Sequence, residues 1–154
     1  MFLRLAEEGH VPSQNQCGAC YMNGRGVEKD EAQAIRWFRA AADQGDDIAA
    51  GNLGLAYQLG QGVEQDDAQA VVWFRKSAEQ EHLPAMCSLA ECYRDGDGVP
   101  QDDQQALAWY LRAAKLGHSE AQFQCGLFYQ DGLGVAQSYQ EALEWYRRAA
   151  AQGH

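Results

Sequence analysis

The sequence predicts an all-α fold, a right-handed α/α solenoid (superhelix) of four 36-residue helix-turn-helix repeats behind an N-terminal half-repeat. Three observations predict it. Trp37, Trp73, Trp109 and Trp145 recur at intervals of 36 residues with no insertion. The pairs Gly24/Gly26, Gly60/Gly62, Gly96/Gly98 and Gly132/Gly134 keep the same interval, and so do the capping residues Asp30, Asp66, Asp102 and Ser138. A fixed period between about 20 and 50 residues marks units that bury their apolar faces only against their neighbours.

The chain reads as a single repeat domain, 1–154, with repeats at 13–48, 49–84, 85–120 and 121–154. Residues 1–10 are the tail of a preceding half-repeat, because Phe2 falls on the position of Phe38 and Gly9 on that of Gly45. That half-helix is either a native cap or the sign that the chain is an excerpt of a longer protein. In the second copy Ala49, Leu53, Ala56 and Tyr57 recur at i, i+4, i+7 and i+8, one face of a first helix, A. Gly54 stands beside that face, with Gly18, Ala90 and Gly126 in the same slot, which predicts a close helix crossing. Pro12 and Pro84 stand where helix A begins, a position that tolerates proline.

Gly60-Gln61-Gly62 then breaks the helix, and Val63 is the apolar plug beneath the turn. Asp30, Asp66, Asp102 and Ser138 are N-cap residues of a second helix, B, followed three positions on by Gln33, Gln69, Gln105 and Glu141 in a capping-box pattern. Helix B carries Ala70, Trp73, Phe74, Ser77 and Ala78 as one apolar stripe. Gly45, Gly117 and Gly153 end it; the second copy has Glu81 there, which predicts a less favourable joint. The tryptophans and tyrosines are expected to form the core.

The net charge of −10 opposes binding to a phosphate backbone or an anionic membrane, so no nucleic-acid partner is expected. Much of that charge sits at 28–31, 64–67 and 102–103, where helix B begins and the helix dipole favours it. No apolar run is long enough for a membrane span. The first eight residues lack the pattern of a signal peptide, so a cytoplasmic location is expected, or a periplasmic or secreted one if a signal precedes Met1.

The run Ala49…Leu53-Gly54…Tyr57…Gly60-Gln61-Gly62-Val63…Asp66…Ala70…Trp73-Phe74-Arg75…Ala78…Gln80 resembles the consensus of the Sel-one-like repeat (SLR) family, relatives of the tetratricopeptide repeats. The resemblance covers residues 13–154 in four copies. It implies an adaptor or scaffold that binds a protein or peptide, not an enzyme, and needs no cofactor. In tetratricopeptide relatives the ligand lies in a concave groove lined by the A helices. Carried onto this chain, the lining is Asn15, Ala19, Met22 and Asn23, then Gly51, Leu55, Gln58 and Leu59. The third copy gives Cys87, Glu91, Arg94 and Asp95, and the fourth Phe123, Leu127, Gln130 and Asp131. These slots differ between copies while the core slots repeat. Leu55, Phe123 and Leu127 suit an apolar anchor, and Glu91, Asp95 and Asp131 suit basic groups on the partner.

Two other classes compete. Cys17-Gly18-Ala19-Cys20 has the spacing of a dithiol redox motif, yet Cys17 occupies the slot of Leu53 and Cys20 that of Ala56, which makes both small core residues. Some secreted members of the resembling family carry one disulfide per repeat between helices A and B; here helix B has no cysteine, which weakens transfer of the hydrolase activities claimed for them. His10, His82, His118 and His154 come one per joint and read as loop residues, so no metal site is expected. The Gly-x-Gly-Val turns follow helices and lack a phosphate-loop ending, and 95–99 places Val99 where a calcium ligand is needed. The last reading is self-assembly: the final helix B, with Trp145 and Tyr146, has no solvating helix after it, which predicts association through that C-terminal face.

Overall fold

The structure, a computed structural model, describes residues 2–153, and among them all regular secondary structure is helical. A six-residue helix, α1 (Phe2–Glu7), precedes four helical hairpins. The A helices are α2 (Val11–Asn23), α4 (Asp47–Leu59), α6 (Leu83–Asp95) and α8 (Ser119–Asp131); the B helices are α3 (Glu31–Asp43), α5 (Asp67–Glu79), α7 (Asp103–Lys115) and α9 (Tyr139–Ala151). The helices fall into two compact units, Met1–His82 and Leu83–His154. In the first, α1 packs on α2, α2 on α3, α3 on α4 and α4 on α5; in the second, α6 to α9 pack in the same succession.

Each hairpin is set by the same local chemistry. The N-cap side chains of Asp30, Asp66, Asp102 and Ser138 accept the backbone N–H three residues on, at 3.0, 3.0, 3.1 and 3.2 Å. The backbone N–H of the same four residues donates to the carbonyls of Tyr21, Tyr57, Tyr93 and Tyr129 at 2.8–2.9 Å, which closes the turn. A missing cap of this kind costs about 1 kcal/mol.

The crossing inside the hairpin depends on Gly54. A Cβ built there would lie 2.4 Å from Cδ1 of Phe74, and the same clash recurs between Gly126 and Tyr146 at 2.4 Å. The ring after each tryptophan therefore lies directly on helix A. The expected core is seen in part: Trp73, Trp145 and Tyr110 are buried, Phe74 and Phe128 join them among the enclosed rings, and Trp37 and Trp109 are only half-buried. Trp73 and Trp145 are buried while Trp37 and Trp109 lie at the edge, and three of the indoles take cations on their faces, Lys76 Nζ 4.4 Å from the Trp73 ring, Arg112 5.3 Å from Trp109 and Arg148 4.8 Å from Trp145.

The joint histidines also depart from expectation. Nδ1 of His10 and of His118 accepts the backbone N–H of Ser13 and Ala121 at 3.3 and 3.2 Å, so each caps an A helix, as Asp46 does in the second copy at 2.6 Å. His154 lies outside the described residues. Glu81 adopts φ +65°, the left-handed conformation that glycine takes at the other joints, and the closing bond from His82 N to Ser77 O is long at 3.4 Å. Left-handed backbone costs a non-glycine residue roughly 1–2 kcal/mol. Glu81→Gly, despite the greater freedom of an unfolded glycine, is expected to raise stability by about 0.5–1 kcal/mol, read as an upward shift of the thermal midpoint.

Candidate functional site

In the first unit, α2 and α4 lie side by side and form a shallow cleft of about 220 Å³ lined by Ala19, Met22, Asn23, Asn52, Leu55 and Gln61, with Phe38 at its base. Asn52 Nδ2 donates to Asn15 Oδ1 at 3.4 Å and ties the two helices, and Asn23 Nδ2 donates to its own helix at Ala19 O, 2.9 Å. The lining holds no ionised side chain. Leu55 is 43% exposed and Leu59 61%, one turn apart on α4, with Gln58 half-buried between them. The cleft thus brings together Ala19, Met22, Asn23 and Leu55, with Asn15 reaching it through Asn52. Asn52, Gln61 and Phe38 are lining residues that the sequence reading passed over, although Asn52 also occupies a slot that changes from copy to copy. Gly51 is elsewhere: it is buried, and a Cβ there would meet Ser77 and His82 at 3.3–3.4 Å.

The second unit presents different chemistry on α6 and α8. Arg94 grips Asp95 through two bonds of 2.8 and 2.9 Å and reaches the Tyr110 hydroxyl at 3.4 Å. The pair raises the Arg94 pKa and lowers that of Asp95, so the Asp95 carboxylate is engaged by its neighbour within the same helix. Glu91 and Asp131 remain exposed. Partial desolvation by the surrounding protein raises the Glu91 carboxyl above its ordinary value, and Arg94 partly offsets this. Phe123 and Leu127 are half-buried, and the Phe123 ring stacks on Tyr146 with centroids 5.6 Å apart. Gln130 accepts the Tyr146 hydroxyl at 2.9 Å. Phe123 and Gln130 therefore hold the hairpin together as well as facing outward.

Thiol chemistry finds poor support in this arrangement. Cys17 is buried, and burial, then Cys20 and Glu7, push its thiol pKa up, the reverse of redox activation. Cys87 is also buried, with Sγ 3.6 Å from Nδ1 of His118. A cysteine beside a histidine is a nucleophile arrangement only if the thiolate is favoured. Here burial pushes Cys87 up to about 12, and His118 Nδ1 already accepts the Ala121 cap. Among the described residues no cluster of three or more His, Cys, Asp or Glu is placed to hold a metal ion, and no helix is long and apolar enough to cross a membrane.

Comparison with known proteins bears on the fold directly. The Sel1 repeat family matches residues 11–46, 48–82, 83–118 and 119–154. Among solved structures, a protective antigen present in uropathogenic Escherichia coli strains, displaying an SLR fold, is similar with a TM-score of 0.96 and 41% identity, over 99% of this chain and 32% of that one. A Sel1 repeat protein from Oxalobacter formigenes gives a TM-score of 0.88 and 40% identity, over 94% of this chain and 59% of that one. The chain thus spans about a third of the first structure and about three fifths of the second. Cysteine rich protein B of Helicobacter pylori, at 20% identity and a TM-score of 0.63, shares the fold. No curated protein matches the chain.

Proposed function

From the premise that this chain belongs to the Sel1 repeat family, a fold whose members bind other proteins, we propose that it is a non-catalytic scaffold that engages a partner peptide or helix on the faces of its A helices. One observation carries the reading. Leu55 and Leu59 are exposed on α4 beside the Met22 cleft, in slots where the other copies place Ala19/Asn23, Glu91/Asp95 and Leu127/Asp131. A solvated helix face gains nothing from two exposed leucines, whereas a partner's apolar side chain does. The face of the first unit is neutral and apolar; the A helices of the second carry the exposed carboxylates Glu91 and Asp131 and the half-buried Leu127. A partner that uses both faces carries apolar anchors and at least one basic group.

The test compares the parent with the double variant Leu55→Asp/Leu59→Asp in affinity capture from the source cell. Both positions are exposed, so helix content should be unchanged by circular dichroism. Burying each leucine in an interface is worth about 1.5–3 kcal/mol, so the variant is expected to lose its captured protein by at least tenfold. Equal capture by parent and variant would move the contact away from α4. Phe123→Asp is a poorer probe, because its ring supports Tyr146 within the hairpin.

A further inference from the structure

Four tryptophans occupy one repeat position, and Trp73 stands apart in three respects. Its indole carries two cations, Lys76 Nζ at 4.4 Å and Arg39 Cζ at 6.0 Å from the ring centroid, one from its own helix α5 and one from α3, the B helix before it. Trp145 has no counterpart of Arg39, because that slot holds Leu111 in the preceding copy. The two cations over Trp73 are also uncompensated. Arg148, over Trp145, is bonded to Glu144 at 3.3 Å, whereas among the described residues neither Arg39 nor Lys76 has a carboxylate within ion-pair distance. Finally, Trp73 is 7% exposed, and its Nε1–H is the one indole donor among the described residues that is enclosed without an acceptor. A buried indole N–H ordinarily finds a partner.

Two like charges held over one ring repel each other, and a buried donor without an acceptor costs its desolvation. One anion placed among the three groups answers both. Arg39 is already held for this: its Nη2 donates to the Tyr57 hydroxyl of α4, which fixes the guanidinium and leaves the hydroxyl's own proton to donate onward. Lys76 is exposed on a flexible four-carbon stem, so its ammonium follows a ligand without movement of α5. Two cations joined by neutral donors suit an oxyanion with two negative charges and several acceptor oxygens. A single carboxylate would leave one cation uncompensated. The net charge of −10 opposes a polyanion, but charges more than about 8 Å away are largely screened at physiological salt, so one group at contact distance responds chiefly to its neighbours.

We propose that Arg39, Lys76 and the Trp73 N–H, with the Tyr57 hydroxyl beside them, form a binding site for a dianionic phosphate group on α3 and α5. The site shares no residue with the α2–α4 cleft and stands independently of the partner reading.

Solution NMR of the 154-residue chain tests this, because each of the four indole N–H groups gives its own signal, assigned by single Trp→Phe replacements. Inorganic phosphate and phenyl phosphate are titrated in turn, well above the second phosphate pKa of about 6 and at an ionic strength held constant with sodium chloride. The Trp73 signal is expected to move downfield and to saturate below about 10 mM ligand, while those of Trp109 and Trp145 stay in place. The tighter of the two ligands shows whether the group arrives free or esterified. Arg39→Gln and Lys76→Gln, both at exposed positions, should each raise the half-saturation point by about tenfold or more. A Trp73 signal that moves with neither ligand, four signals that drift together without saturating, or Gln variants that titrate like the parent would each overturn the proposal.

Discussion

Phe74→Ala is expected to destabilise the chain by about 3–5 kcal/mol, lowering the thermal midpoint by roughly 10 °C. Phe74 is 1% exposed and lies over Gly54, so removing its ring opens a void that the two helices cannot close without moving the crossing. The half-buried Trp37, although larger, is expected to matter less. Thermal unfolding of Phe74→Ala and Trp37→Ala side by side checks the order. The opposite order would mean that the indole, and not the ring that follows it, anchors the hairpin.

Gly62→Val is the second large effect, at about 3 kcal/mol. Two costs combine. A β-branched residue at φ +70° pays the left-handed penalty of roughly 1–2 kcal/mol, and its Cβ collides with the Glu31 backbone, an overpacking of about 1–3 kcal/mol. The contact is built on both sides, since the Gly62 N–H donates to Glu31 Oε2 at 3.1 Å and Lys29 holds Glu31 Oε1 at 2.9 Å. The Lys29 bond, with the Gly62 N–H adding to it, holds the Glu31 carboxyl below its ordinary value. Gly26→Val supplies the control, with φ +75° and open space around the Cβ. It should show only the conformational part, so the difference between the two variants isolates the stacking of one repeat on the next. Equal losses in chemical denaturation would remove that stacking role.

Much of the fold was legible because its causes are local. N-capping by Asp30, closure at Gly45 and the conflict at Glu81 each involve residues within a few positions of one another, and a 36-residue period repeats the signal until chance is excluded. The glycine at 54 was legible for the same reason, since only a close neighbour explains a poor helix former on an apolar face. Contacts between repeats were less visible. The seating of Gly62 on Glu31 joins residues 31 positions apart, and nothing in a turn sequence distinguishes a glycine that bends the chain from one that also admits a neighbour. The buried Gln14 accepts the exposed Gln44 amide at 2.8 Å, an arrangement that recurs at Gln122 and Gln152 with 2.7 Å, and periodicity reads such polar slots as solvated.

The candidate face was legible in part. Periodicity identified which A-helix slots vary, and Ala19, Met22, Asn23 and Leu55 do meet in one cleft. It did not say which variable slots a neighbouring element covers. Gly51 and Cys87 lie one turn before Leu55 and Glu91 yet are buried, the former under Ser77 and His82 and the latter beside His118. Periodicity also gave no sign that Arg94 and Asp95 pair with each other on α6. His10 and His118 went unrecognised as caps because Ser, Thr, Asp and Asn are the usual N-cap residues.

The most direct test of the scaffold reading places a photo-crosslinking residue at Leu59, 61% exposed on α4, and in a second sample at Val72, 44% exposed on α5. Both samples are irradiated in lysate of the source cell. The account predicts one discrete protein adduct at Leu59 that disappears when Leu55→Asp is added, with no equivalent adduct at Val72. The same adduct at both positions, or at Val72 alone, would contradict binding on the A-helix face.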